Sequence, residues 1–272
     1  MNFFMTQELR SPFSKMAIYI PAYNAASTLP RVLERIPAHL KEVVEEVFVV
    51  DNHSSDSTNL VAIGYRAVNG MHNLQVIRNE RNEGYGGSQK IAYTRTIDRG
   101  YSGIGMLHGD AQYAPELLES LMFPVATGQA DMVFGSRMKG DPLKGGMPLH
   151  RYLGNKALTW MQNKILGMNL SEYHSGYRVY SASALKQIPF GRLSSDYHFD
   201  TEIIILMKHF NMRIAEVEIP THYGDEENYV NIWKYGTQVL VTTLTYWLHV
   251  RGWRKSRNWS RILGDGAALA HA

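Results

Sequence analysis

Short apolar runs rich in valine and isoleucine recur through the first half of the chain, each followed by turn residues and then by apolar positions at helical spacing. "MAIYIPAYN", "EEVFVVD", "NLQVIRNE", "GIGMLHGD" and "ADMVFGSR" read as five strands. Between the first two, "STLPRVLERI" reads as a helix. Ser27 or Thr28 caps it, Pro30 suits its first turn, and Leu29, Val32, Leu33 and Ile36 share a face. "SSDSTNLVAIGYRAV" starts a second helix at Ser/Asp cap candidates, with Asp56 the expected cap. "RNEGYGG" leads as a turn into "SQKIAYTRTI", and "PELLESLMFPVA" is the helix after the fourth strand. Unbroken apolar strands alternating with helices predict an α/β fold with a mostly parallel sheet covered on both faces. Ligands of such sheets bind beyond the carboxyl ends of the strands. Asn24, Asp51, Asp110 and Arg137 all lie just past predicted strand ends.

After Arg137 the pattern changes. "GDPLKGGMP" is a loop with the composition of a mobile lid. "LHRYLGNKALTWMQNKILGM" is a long helix, and the helix "FDTEIIILMKHF" separates strands in "HSGYRVYS" and "RIAEVEIPTHYG". Beyond Glu227 no acidic residue appears until Asp265. This break divides the chain into an α/β domain, residues 1–230, and a C-terminal amphipathic, basic helical tail, residues 231–272. In the tail, Trp233, Leu240, Leu244 and Trp247 recur at helical spacing. Arg251, Arg254, Lys255, Arg257 and Arg261 follow, interleaved with Trp253 and Trp259. A helix lying on an anionic membrane fits this stripe, and so does a core or dimer-forming helix with a solvated basic end.

Composition narrows the classes. A chain of 272 residues with 44% hydrophobic and 19% charged residues is globular. With no cysteine, disulfides and thiolate metal sites are excluded. A net charge of +3 does not call for nucleic acid. The N-terminus lacks a charged-then-apolar signal pattern, and no run reaches the roughly 18 apolar residues of a membrane span. The expected location is cytoplasmic, peripheral on the cytoplasmic face of the membrane.

Several stretches carry candidate chemistry. "LHGDAQYAPE" sets His108, Asp110 and Gln112 at alternate positions, where a strand is ending and its side chains can converge. They can hold a metal or be the polar end of a strand. "IPAYN" can wall an aromatic base or simply end a strand. "NEGYGG" can cradle phosphate at a helix start or make a tight turn. Asp51 can accept the imino proton of a base, or cap a helix. Arg137 and Arg178 can grip phosphate bidentately, with Lys139, Lys144 and Arg151 nearby in or beside the lid. Asp200 and Glu202 are the nearest candidates for a general base, or a helix cap and an ion-pair partner.

The ordered set "IPAYN", "VVDNHSSDST", "NEGYGGSQK", "GDAQYAPE", "FGSR", "HSGYRVYS" and "EVEIPTHYG" spans roughly Ile18 to Gly224. It resembles glycosyltransferase family 2, in its GT-A fold, and within it the dolichyl-phosphate mannose or glucose synthase branch. The resemblance implies nucleotide contacts at Pro21, Ala22, Tyr23, Asp51, Gly84, Lys90 and Gly109. It also implies a divalent metal, Mn²⁺ or Mg²⁺, on Asp110 and Gln112. His108 stands where the family has an aspartate, and its softer nitrogen ligand favours Mn²⁺. The implied reaction is inverting transfer of a hexose from a UDP- or GDP-sugar to a polyprenyl phosphate, with Arg137, Arg178 and Lys139 on the acceptor phosphate. "GDEENYVN" departs from the family by being acidic where a basic motif is usual, which weighs against a lipid-phosphate acceptor. The alternatives are transfer to a hydroxyl, with Asp200 or Glu202 as base, and an inactive scaffold, which only His108 supports.

Overall fold

A computed structural model describes residues 11–221 and 232–264. Strand β1 (Met16–Ala22) is followed by helices α1 (Leu29–Arg35) and α2 (Ala38–Val43), β2 (Glu46–Asp51), α3 (Thr58–Val68), β3 (Leu74–Arg78) and α4 (Tyr85–Asp98). Then come β4 (Gly103–Met106), α5 (Leu118–Ala126), β5 (Met132–Ser136), the long α6 (Leu149–Leu166), β6 (Arg178–Ser181) and α7 (Ala182–Gln187). Helix α8 (Phe199–His209), β7 (Ile214–Glu218), α9 (Ile232–Val250) and α10 (Arg257–Leu263) complete the described chain. The strands form one sheet in the order β3-β2-β1-β4-β6-β5-β7. Strand β6 runs antiparallel to β4 and β5, and every other pairing is parallel. All seven predicted strands are present.

The inner strands are buried on both faces because they alternate between two cores, and the edge strands β3 and β7 are only partly buried. Ile18, Ile20, Val47, Val49 and Val133 pack under α1 and α5, where Leu29, Val32, Leu33 and Ile36 are buried as expected. Tyr19, Phe48, Val50, Ile104 and Phe134 face the other way, against α4, α8 and α10. Residues on opposite sides of one strand thus read as a continuous apolar run.

Local details differ from the sequence expectation. Helix α4 begins at Tyr85, taking in two glycines assigned to the turn. A Cβ at Gly86 would meet the Ser194 carbonyl at 2.7 Å and Phe199 at 2.8 Å, so the glycines let this helix start press against the α8 entry. Thr28 stands at the α1 N-cap, yet its hydroxyl donates to the Gly109 carbonyl at 2.6 Å and caps no amide. Asp56 does act at a helix start, accepting from the Thr58 amide at 2.9 Å. In the loop expected to be a lid, Pro142 and Met147 are buried while Asp141, Leu143, Lys144 and Gly146 are exposed, and a Cβ at Gly145 would collide with the Thr221 carbonyl. The acidic motif "GDEENYVN" lies outside the described residues.

Helix α9 turns Val239, Thr242, Thr243 and Tyr246 inward, and packs on α6, α8 and α10. Trp259, expected at a membrane interface, is fully buried instead. Its ring meets Tyr246 edge-on at 5.0 Å, and its indole N–H donates to the Thr242 carbonyl at 3.3 Å. Replacing it by alanine should therefore destabilise the protein by about 3–5 kcal/mol in urea titrations. A loss below about 0.5 kcal/mol would contradict this docking.

Candidate active site

A cavity of about 930 Å³ opens beyond the carboxyl ends of β1, β2, β4 and β5, lined by residues from the loops that follow them. Pro21, Ala22, Tyr23, Asn52, Asn82 and Gly84 form one wall. Asn52 and Asn82 are joined amide to amide at 2.9 Å, which braces the loop before α4 against the end of β2. Gly84 has φ +78°, a conformation suited to glycine, and lies so close to the Ser195 carbonyl that no Cβ fits. Asp51 itself does not line the cavity. It is fully buried, its Oδ1 accepts from the Ser54 amide at 2.9 Å, and its Oδ2 has no hydrogen-bond partner. Gly109 sits behind the wall, its amide donating to the Pro21 carbonyl at 3.1 Å. Lys90 lies outside the lining: its ammonium donates to the Leu193 carbonyl at 2.6 Å. That bond ties α4 to the chain before α8 and turns the cation away from the cavity.

On the floor, His108, Asp110 and Gln112 all line the cavity, carried not by a strand but by the turn after β4, in which Ala111 has φ +63°. His108 Nδ1 is 3.9 Å from Asp110 Oδ2, and Asp110 Oδ1 accepts from the Gln112 amide at 3.0 Å. Burial would raise the Asp110 carboxyl, but the His108 imidazole and the Gln112 amide hold it below the ordinary carboxylate value. Gly176 makes room for the imidazole: a Cβ there would sit 2.6 Å from His108 Nε2. Among the described residues no three His, Cys, Asp or Glu side chains converge to close a metal centre. The donor set is one carboxylate, one imidazole and one amide. It fits a divalent cation held at an open site, with coordination positions left for oxygens of a ligand.

The opposite wall is cationic. Arg137 follows β5 and is held by Glu172, whose carboxylate takes its Nη2 at 3.0 Å and its backbone amide at 2.6 Å. Burial alone would raise the Glu172 carboxyl. Arg137 outweighs it, by charge and by hydrogen bonds, and keeps the pKa below the ordinary value. His150, Arg151, Asn155 and Leu158 present one face of α6 to the same side, and His174 and Tyr235 close it.

Other predicted contacts are not on this wall. Arg178 is completely buried, donating to the carbonyls of Tyr173, Ser175 and Asp200. A guanidinium so occupied is a structural tie and not a phosphate grip. Lys139 bonds the Glu216 carbonyl at 3.3 Å on the β7 side, and Lys144 pairs with Asp141 at 2.7 Å on the surface. Asp200 does line the cavity, but Oδ2 accepts from the Tyr85 hydroxyl at 2.9 Å and Oδ1 from Gln89 at 3.2 Å. Glu202 points elsewhere, accepting from the Ser194 amide at 2.7 Å.

Glu172, His174, Tyr235, Tyr85, Asn52 and Asn82 were not singled out by sequence. Their pairings join loops far apart in the chain, for which no local pattern exists. The polar face of α6 did have a signal: His150, Arg151, Asn155 and Leu158 at helical spacing, opposite Leu149, Leu153 and Trp160.

The model of the family described as glycosyl transferase family 2 matches residues 17–189. The chain belongs to that family. It is 30% identical to the low-salt glycan biosynthesis hexosyltransferase Agl6 of Haloferax volcanii over 238 residues, 85% of this chain and 54% of that protein. It is also 30% identical to the undecaprenyl-phosphate mannosyltransferase of Micrococcus luteus over 205 residues, 74% of this chain and 80% of that one. The chain thus spans about half the length of the first relative and four-fifths of the second. Among solved structures, glucosyl-3-phosphoglycerate synthase of Mycobacterium tuberculosis in complex with UDP superposes with a TM-score of 0.64. Identity there is 20%, over 86% of this chain and 80% of that one. Another structure of that synthase holds Mn²⁺, UDP-glucose and phosphoglyceric acid. The fold is therefore GT-A, as the motifs imply.

Glu172→Gln keeps the shape and removes the charge opposite Arg137. At pH 7 the variant should lose about 3 kcal/mol in urea titrations. Because the Glu172 pKa is depressed in the fold, its stabilisation is present above the unfolded value of 4.5 and lost as pH falls through the folded one. The gap between variant and wild type should narrow below about pH 4.5. A gap unchanged down to pH 3 would show that charge is not what holds Arg137.

Proposed function

We propose that the protein is a metal-dependent inverting glycosyltransferase moving a hexose from a UDP- or GDP-sugar to a polyprenyl phosphate. The relatives named as polyprenyl-phosphate sugar transferases support this, among them the polyprenol monophosphomannose synthase of Mycolicibacterium smegmatis, 26% identical over 79% of this chain and 80% of that protein. The observation that carries it is the state of the two candidate bases. Both Asp200 oxygens are engaged and Glu202 faces away from the cavity, while Arg137 stands fixed on the wall. A sugar hydroxyl needs a base to activate it, whereas a phosphate monoester is already anionic and needs cations.

In this reading Pro21, Ala22 and Tyr23 take the base, while Asp51, buried behind them with Oδ2 3.7 Å from Arg78 Nε, braces the end of β2 without touching the base. Asp110, His108 and Gln112 would hold Mn²⁺ or Mg²⁺, which would supply charge neutralisation for a departing nucleoside diphosphate. Arg137 orients the acceptor phosphate for in-line attack at the anomeric carbon. One acceptor oxygen forms the new bond as the sugar–diphosphate bond breaks, and no proton has to leave the nucleophile.

Peripheral attachment to an anionic membrane belongs to the same proposal. No described helix is long and apolar enough to cross a bilayer. The outer face of α6 exposes Leu149, Leu153 and Trp160 together with Lys156 and Lys164, and α6 contains no acidic residue. Helix α9 exposes Trp233, Leu240, Val241 and Leu244, and Arg251 lies 4.8 Å above the Trp247 ring. Because α6 lines the cavity with its inner face, a bilayer on its outer face would bring a lipid acceptor to Arg137.

Three outcomes test the proposal. Asp110→Ala should abolish transfer and Mn²⁺ binding by calorimetry; full activity in the presence of a chelator would refute the metal. Arg137→Lys keeps the charge but loses the planar fork, so transfer to polyprenyl phosphate should fall about ten- to a hundredfold with donor affinity nearly intact. Greater damage from Asp200→Asn, with a saccharide as acceptor, would favour a hydroxyl nucleophile. Finally, the full chain should sediment with anionic vesicles at low salt, and Trp160→Ser with Trp233→Ser should weaken this without changing turnover of a short soluble acceptor. Failure of the wild type to sediment would refute attachment.

A further inference from the structure

His174 lies in the loop before β6 and lines the cavity on the Arg137 side, where its carbonyl accepts from Arg137 Nη2 at 3.3 Å. Its Nδ1 is 2.9 Å from the Tyr235 hydroxyl on α9, and the two rings meet edge-on at 5.6 Å. The other ring nitrogen, Nε2, is shut off from solvent and has no hydrogen-bond partner among the described residues. A buried polar atom left without a partner costs stability, so its retention on a cavity wall points to a ligand that supplies the partner.

The imidazole there is neutral. Burial pushes its pKa down to about 4; Glu172 opposes this, and Arg137 and Arg178 add to it. A neutral imidazole carries one proton, and the hydrogen bond at one nitrogen decides which nitrogen has it. Burial and the Asp200 charge raise the Tyr235 hydroxyl above its ordinary pKa, so it keeps its proton and can give it to a hydrogen bond. An acceptor nitrogen at Nδ1 leaves the ring proton on Nε2.

We propose that His174 is a substrate-contacting residue of the acceptor subsite: Tyr235 donates to Nδ1, and Nε2–H donates to an anionic phosphate oxygen beside Arg137. Tyr235 is then a positioning residue, and helix α9 enters the site through it. The contact rests on the phosphate-acceptor reading above, whereas the tautomer does not. The two residues form a neutral donor pair that adds direction to the charge supplied by Arg137.

Long-range ¹H–¹⁵N spectra of the full-length protein labelled at histidine test the tautomer directly, with His174→Gln identifying the signal by its loss. At pH 7 the His174 ring should be the neutral Nε2–H form, and Tyr235→Phe should shift it towards the other tautomer. Farnesyl phosphate added with Mn²⁺ should move the Nε2 signal. In transfer assays His174→Ala and Tyr235→Phe should raise the acceptor KM about ten- to a hundredfold with donor affinity unchanged. His174→Gln, which keeps an N–H near the same place, should recover part of the loss. An Nδ1–H ring in the wild type, or an Nε2 signal indifferent to farnesyl phosphate, would overturn the proposal, as would equal damage to donor and acceptor binding. Should the wild type transfer no sugar to polyprenyl phosphate while farnesyl phosphate still moves the signal, the acceptor assignment falls and the phosphate contact at His174 stands.

Discussion

The site is hung from one buried cation. Arg178 leaves β6 in the middle of the sheet, and its guanidinium donates to carbonyls on the preceding loop, at Tyr173 and Ser175, and at the start of α8, at Asp200. The Asp200 carboxylate lies 3.5 Å away. Removing a guanidinium from water is tolerable only when its donors and its charge are matched, and here both are. That match fixes three things at once. The loop bearing Glu172 and His174 is clamped to β6, the N-terminus of α8 is drawn against the sheet, and Asp200 is placed to receive Tyr85 and Gln89 from α4. The glycines at the start of α4 are the complementary condition, because a larger residue would keep that helix from reaching α8.

From this anchor the cavity acquires two unlike walls. The β1 and β2 ends contribute an aromatic ring, amides and a glycine, groups suited to a flat base and a sugar. The far side gathers Arg137, His150, Arg151 and His174, with Glu172 behind Arg137 as a fixed counter-charge. Between them lies the small donor set of His108, Asp110 and Gln112. Under the proposed reaction, charge would have to be compensated on both the leaving and the entering side, and the division of the cavity is compatible with that.

Helices α6 and α9 link the cavity to the exterior. Each presents one face inward and an apolar, cation-bearing face outward, so the surface that would meet a membrane is continuous with the wall that would meet a lipid phosphate. Trp259 illustrates how such a surface is built. It does not join the exposed tryptophans but docks α10 against α9 in the core, at Thr242 and Tyr246 of the helix whose Tyr235 reaches the cavity.

Much of this was legible in the chain itself. The period of the apolar runs indicated the seven strands and a mostly parallel sheet, since a central strand buried on both faces is predominantly apolar. His108, Asp110 and Gln112 were legible as a polar group just past a strand end, but they line the floor through the turn after β4, where Ala111 has φ +63°, and not through strand alternation. What the sequence could not decide was which charges face the cavity. Arg178 and Lys139 were candidates beside Arg137 for the acceptor phosphate, and Lys90 for the nucleotide. Only the tertiary structure shows three of them spent on carbonyls and one held on the wall by Glu172, thirty-five residues away. The same holds for His174 and Tyr235, sixty-one residues apart. A hydrogen bond between distant loops depends on how the elements pack, and local periodicity carries no information about it.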